Sequence, residues 1–127
     1  MKTIVLDLQS GLYANALRRA LVQNLTEAQV VISPTPGETV EHCRVTRPNA
    51  LLMEVKPFSP WLLPERLKLR EEVGRVHPDC KVALLVDEAA DRALTEEVKR
   101  AKQEGRIDAF LFDSASESYL AATLDSL

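Results

Sequence analysis

Short apolar runs alternate with helical stripes along the chain. The runs stand at Thr3–Leu6, Gln29–Ile32, Ala50–Val55, Val82–Val86 and Ala109–Phe112. They are nearly continuous and rich in Val, Ile, Leu and Phe, the pattern of a strand covered on both faces. After the first run, Tyr13, Ala16, Leu17, Ala20 and Leu21 recur at helical spacing, with Arg18, Arg19 and Gln23 off the stripe. Ala90, Ala93, Leu94, Val98 and Ala101 form another stripe, opposite Glu96, Lys99, Arg100 and Lys102, and Gly105 offers a helix stop. Leu69, Val73 and Val76 form a third before His77 and Pro78. Leu120, Leu124 and Leu127 form the last, with Ser114 or Ser116 as its N-cap. The segment Gly37–Arg47 has the thinnest pattern, with only Val40 and Cys43 as inward candidates, and reads as a helix.

Five strands alternating with helices imply right-handed crossovers and a parallel sheet covered on both faces. The predicted class is α/β, and doubly wound, because a barrel needs more repeats than the chain supplies. No repeat, low-complexity stretch or linker interrupts the pattern, so residues 1–127 are expected to form one domain. A chain of this length buries roughly two-thirds of its unfolded surface, enough for a core without staples.

Composition removes several function classes. Hydrophobic residues make up 46% and charged residues 28%, with a net charge of −3, so no basic excess is available for direct nucleic-acid binding. Every apolar run is cut well before the roughly 20 residues a membrane span needs. Asp7 interrupts the first apolar run at once, leaving no signal-peptide core, and a cytoplasmic protein is expected. Cys43 and Cys80 match no metal-ligand spacing and suggest no disulfide framework; two reduced, partly buried thiols are expected. His42 and His77 lack a partner at catalytic spacing, and His77, beside Pro78, reads as a surface residue. The serines have no Gly-x-Ser-x-Gly setting, and Gly11, Gly37, Gly74 and Gly105 are scattered, so no phosphate loop is present. Neither an enzyme nor a bound cofactor or metal is expected.

In an open parallel sheet, chemistry collects outside the carboxyl ends of the strands. Those ends carry Asp7, Leu8, Gln9 and Ser10; Ser33 and Pro34; Glu54, Val55, Lys56 and Pro57; Val86, Asp87 and Glu88; and Asp113, Ser114 and Ala115.

Leu17–Leu21, Arg47–Val55, Leu69–Glu71 with His77–Asp79, and Gly105 through Ala109–Leu111 occur in an order and spacing that resemble the receiver domain of two-component response regulators. The resemblance spans nearly the whole chain. It implies a flavodoxin-like, CheY-like fold with a five-stranded parallel sheet in the order 2-1-3-4-5. It also implies signalling through a protein partner or output domain, and a docking or homodimer face built from the fourth helix, fifth strand and fifth helix, here about Ala90–Leu127. The pattern departs from the family where the family's chemistry lies. Glu54 stands at the phosphoacceptor position, Val86 at the hydroxyl that closes the fourth strand, and Asp113 at the lysine that closes the fifth. The paired magnesium-holding acids match Asp7 and Leu8, or Leu8 and Gln9, and either way the pair is broken.

These departures compound. Phosphoryl transfer needs charge neutralisation at the transferring oxygens, yet Asp113 repels phosphate and Val86 donates no hydrogen bond. A degenerate, phosphorylation-independent pseudo-receiver is therefore the expected form. Glu54 admits three readings: a mimic of a phosphorylated aspartate, a leftover paired with Lys56 or solvent, or a metal ligand. Asp7, Glu54, Asp87 and Asp113 form either a carboxylate cluster or, in the case of Asp87, a cap for the helix that follows. The segment Pro57–Pro64 reads as a rigid loop in which Phe58 and Trp61 anchor a partner, or Trp61 folds back over the sheet edge. A receiver with an atypical acceptor, a small metal-dependent enzyme and a ligand sensor at the strand edge are the competing readings.

Overall fold

The protein is described here by a computed structural model covering residues 2–127. Its elements alternate as β1 (Lys2–Asp7), α1 (Gly11–Asn24), β2 (Ala28–Ile32), a 3-10 turn (Pro36–Glu38), α2 (Thr39–Thr46), β3 (Ala50–Glu54), α3 (Leu63–Val76), β4 (Lys81–Val86), α4 (Arg92–Gln103), β5 (Ala109–Phe112) and α5 (Glu117–Ser126). All neighbouring strands pair in parallel, in the order β2-β1-β3-β4-β5, as expected for a doubly wound sheet.

The pleat divides the strand residues between two cores. Ile4, Leu6, Leu52, Leu85 and Leu111 face α1 and α5, where Leu17, Leu21, Leu120 and Leu124 complete one core. Val5, Leu51, Met53, Leu84 and Val86 face α2, α3 and α4, where Cys43, Leu67 and Val98 complete the other. Burial on both faces explains why the strands read as continuous apolar runs rather than alternating ones.

Several local expectations are corrected. The helix α4 starts at Arg92, where Asp91 Oδ1 accepts the Leu94 N–H at 2.9 Å; Ala90 precedes the helix and Ala93 is exposed, so the buried stripe is Thr95, Val98 and Ala101. The helix expected over Gly37–Arg47 is present as α2, and only its start is changed, Gly37 and Glu38 belonging to the preceding 3-10 turn. Pro57–Pro64 is not loop throughout: α3 begins at Leu63, and Pro64 occupies its first turn, where no intrahelical N–H is required. The inward face of α3 is Leu63, Arg66, Leu67 and Val73, with Leu69 and Val76 only partly buried. His77 is buried, not a surface residue; its Nε2 lies 2.8 Å from the Pro48 carbonyl oxygen, tying the exit of α3 to the approach of β3. Ser116, rather than Ser114, caps α5, accepting the Tyr119 N–H at 3.1 Å. Cys43 and Cys80 are free thiols; both are buried, Cys43 completely and Cys80 with 7% exposure.

Candidate functional site

The carboxyl ends of β1 and β3 lie side by side, with Asp7 in register with Met53, and so bring Asp7 and Glu54 to the same edge. They have different fates there. Asp7 is 1% exposed and is enclosed by a cation from α3: Arg66, itself fully buried. Arg66 Nη1 donates to Asp7 Oδ2 at 2.7 Å and Nη2 to Oδ1 at 3.1 Å, a two-pronged guanidinium–carboxylate pair. Nη2 also donates to the Asp7 carbonyl at 3.2 Å, while Nε donates to the Glu54 carbonyl at 2.8 Å. Thr39, at the start of α2, donates its hydroxyl to Asp7 Oδ2 at 2.6 Å, and Ser33, just past β2, lies 2.8 Å from that hydroxyl. One guanidinium and two hydroxyls thereby join β1, β2, β3, α2 and α3.

Leu8, the residue beside Asp7, is 4% exposed and belongs to the core under α1 and α5. Gln9 is exposed, and its backbone N–H donates to Glu54 Oε1 at 2.8 Å. Glu54 Oε2 is 3.2 Å from Lys56 Nζ. Thus the Glu54 carboxylate, only 6% exposed, is held by one amide and one ammonium.

The two outer strand ends are different again. Val86 is buried in the core. Asp87 Oδ1 accepts the Ala90 N–H at 3.1 Å, so it caps the turn before α4 rather than the helix itself. Burial, and then Asp87 and Glu54, push the Asp113 carboxyl above its ordinary range, with Lys56 pulling the other way. The Tyr13 phenol beside them is raised by burial first and then by Asp113, Glu54 and Glu117. The Asp113 carboxyl therefore feels both Asp87 and Glu54, while Asp7 is tied up by Arg66. Among the described residues, no three His, Cys, Asp or Glu side chains gather to hold a metal, so the four-carboxylate cluster weighed from sequence does not form. The loop after β3 places Phe58 and Trp61 edge to face, with ring centroids 5.8 Å apart; Phe58 is exposed and Trp61 half-buried.

Sequence reasoning missed Arg66 and Tyr13. For Arg66 a signal existed: Leu63, Arg66, Leu67 and Val73 keep helical spacing, and an arginine inside an apolar stripe needs a buried partner.

No family model matches the chain, and no curated protein matches it. Solved structures do. The fold is that of CheY-like response-regulator receiver domains. A receiver domain from Methanospirillum hungatei superposes with a TM-score of 0.78 at 17% identity, covering 99% of this chain and 92% of that one. A CheY-like protein (tadZ) from Pseudomonas aeruginosa gives 0.73 at 18% identity, covering 99% and 98%. A LuxR-family DNA-binding response regulator from Staphylococcus aureus gives 0.77 at 12% identity, also covering 99% and 98%. No helix among the described residues is long and apolar enough to cross a membrane.

The magnesium ion that this fold brings to mind does not fit these residues. Both Asp7 oxygens are occupied by Arg66 and Thr39, Leu8 offers no oxygen, and Glu54 is held by Gln9 and Lys56. A divalent cation would also face a guanidinium already in contact with Asp7.

Two outcomes are expected. Replacing one member of a buried ion pair leaves the other charge uncompensated, so Arg66→Met should cost about 3–5 kcal/mol. The double variant Asp7→Leu with Arg66→Met should cost clearly less than the two single changes added together, and urea unfolding followed by Trp61 fluorescence measures both. A carboxyl raised on folding costs stability wherever it is ionised in the folded state. Asp113→Asn should therefore be more stable than the parent at neutral pH, and the advantage should vanish as pH falls below the ordinary aspartate value of 3.8. Melts across pH 3 to 7 would show it; an advantage that grows on acidification contradicts the assignment.

Proposed function

We propose that the chain is a phosphorylation-independent, receiver-like signalling domain of the cytoplasm that acts through contact with a protein partner or an attached output domain. It is not proposed as an enzyme. The observation that carries this reading is the Arg66–Asp7 pair, which commits the one acid retained after β1 to a buried, fully hydrogen-bonded structural role. Receiver chemistry requires that edge to hold a cation transiently and to neutralise an incoming phosphoryl group. Here the positive charge is covalently part of α3 and is spent on Asp7.

The remaining positions support the same reading. Glu54, at the phosphoacceptor position, is paired with Lys56 and anchored by the Gln9 amide, so its carboxylate is oriented rather than free. Val86 contributes packing and no hydroxyl. Asp113, its carboxyl raised by burial and then by Asp87 and Glu54, stands as an acid where the family places a lysine. Of the readings of Glu54, the paired leftover is the one these contacts favour.

Contact surfaces, rather than phosphoryl chemistry, then carry the signal. On α4 the Glu96–Lys99 pair, whose oxygen and nitrogen are 3.4 Å apart, and the exposed Lys102 offer a mixed-charge surface suited to a self-complementary contact, while Glu97 and Arg100 turn toward α3, where they line a cavity with Leu63, Pro64 and Leu67.

The test is a thermal melt with magnesium, with and without beryllofluoride. The expected result is an unchanged melting temperature under both conditions. A stabilisation that requires both ligands and disappears in Glu54→Ala would overturn the reading and restore a phosphate-responsive receiver.

A further inference from the structure

The loop after β3 and the start of α4 enclose a cavity of about 230 Å³. Its apolar wall is Val55, Pro57, Phe58 and Leu94; Asp87 and Asp91 stand on its rim. A second cavity of about 250 Å³ shares Lys56, Pro57, Asp91 and Leu94 with the first and extends the cleft toward Leu62, Leu63 and Glu97. Phe58 and Leu62 are exposed at 48% and 36%, high for large apolar side chains on one short loop. Free small-molecule sites run to roughly 300–1,000 Å³, so each cavity suits a single side chain better than a cofactor.

Charge selects the occupant. Asp87 and Asp91 each use Oδ1 to cap a backbone N–H, leaving Oδ2 without a partner among the described residues. Glu97 has no ion-pair partner among them either. The lining cation of the first cavity, Lys56, is already paired with Glu54. The cleft is therefore an apolar slot with an unneutralised acidic rim. The Asp113 carboxyl, raised by burial and next by Asp87, stands near the same end of the sheet.

We propose that this cleft receives an arginine side chain of a partner protein, presented on an amphipathic segment whose apolar residues cover Phe58 and Leu62. The aliphatic stem would lie along Leu94 and Val55, and the guanidinium would meet Asp87 and Asp91 beside the Phe58 ring. This inference rests on the protein-contact reading above and names the chemistry of the partner.

The probe is a fluorescein-labelled amphipathic peptide of leucine and arginine, with a leucine and glutamate peptide as control, followed by fluorescence anisotropy. The expected result is binding of the arginine peptide alone. Asp87→Asn with Asp91→Asn keeps both capping oxygens while removing both charges, so the fold is retained and binding should weaken about five- to tenfold. Phe58→Ala, an exposed loop change, should weaken it as well. Glu117→Gln with Asp125→Asn, on α5, should leave it unchanged. Equal binding by the Asp87 and Asp91 variant overturns the proposal, as does equal binding of the glutamate peptide. Self-association lost in Phe58→Ala overturns it too, because a second copy would then fill the cleft. A magnesium–beryllofluoride shift in the same preparation would strike phosphorylation independence while leaving these binding outcomes to stand or fall separately.

Discussion

An arginine buried beneath the carboxyl edge of a parallel sheet must find a carboxylate, and the position of Arg66 on α3 decides which one it finds. Removing two charges from water costs several kcal/mol per ion, and only close geometry with further hydrogen bonds repays it. The pair with Asp7 meets that demand. The guanidinium grips both carboxylate oxygens, two further donors reach the carbonyls of Asp7 and Glu54, and Thr39 supplies one more bond to Asp7. The same contacts fix α3 over the ends of β1 and β3 and draw α2 to the edge. A structural constraint has taken over the acid that the fold most readily offers for chemistry.

The rest of the edge follows from that commitment. With Asp7 neutralised from within, Glu54 takes Lys56 and the Gln9 amide, and Asp87 and Asp113 make no ion pair among the described residues. Burial first, and then the neighbouring Asp87, hold the Asp113 carboxyl above its ordinary range. Negative charge is displaced outward, toward β4, β5 and the start of α4, where it borders the apolar loop bearing Phe58. An edge that cannot gather a metal among its described residues is thus left with a surface shaped for contact.

Much of this architecture is legible in the sequence, because strands buried on both faces write themselves as continuous apolar runs and the helices between them keep a stripe. The five strands and their order follow from that pattern and from the resemblance to receivers. What escapes is whatever depends on a single polar residue in an apolar setting. Arg66 is hidden because the α3 stripe, begun at Leu69, starts too late and treats Pro64 as a loop residue, although proline is well suited to a first helical turn. His77 is hidden for a similar reason: a histidine before proline suggests a turn, but the Pro48 carbonyl gives its ring a buried partner. Asp7, Glu54, Asp87 and Asp113 can be located from sequence as strand-end acids. Their division into one buried structural ion pair and three carboxylates left outside it cannot, because it depends on where α3 sends its guanidinium.

The central claim is that Arg66 already holds the charge that Asp7 would give to a metal. The most direct test is a manganese titration of the isotopically labelled protein, following paramagnetic broadening of backbone amides. The account predicts that Gln9 and Val55, at the ends of the strands, broaden no more than Asn49 at the opposite end of β3. Selective broadening at Gln9 and Val55 that is abolished by Asp7→Asn would contradict it, because Asp7 would then be free to bind a cation.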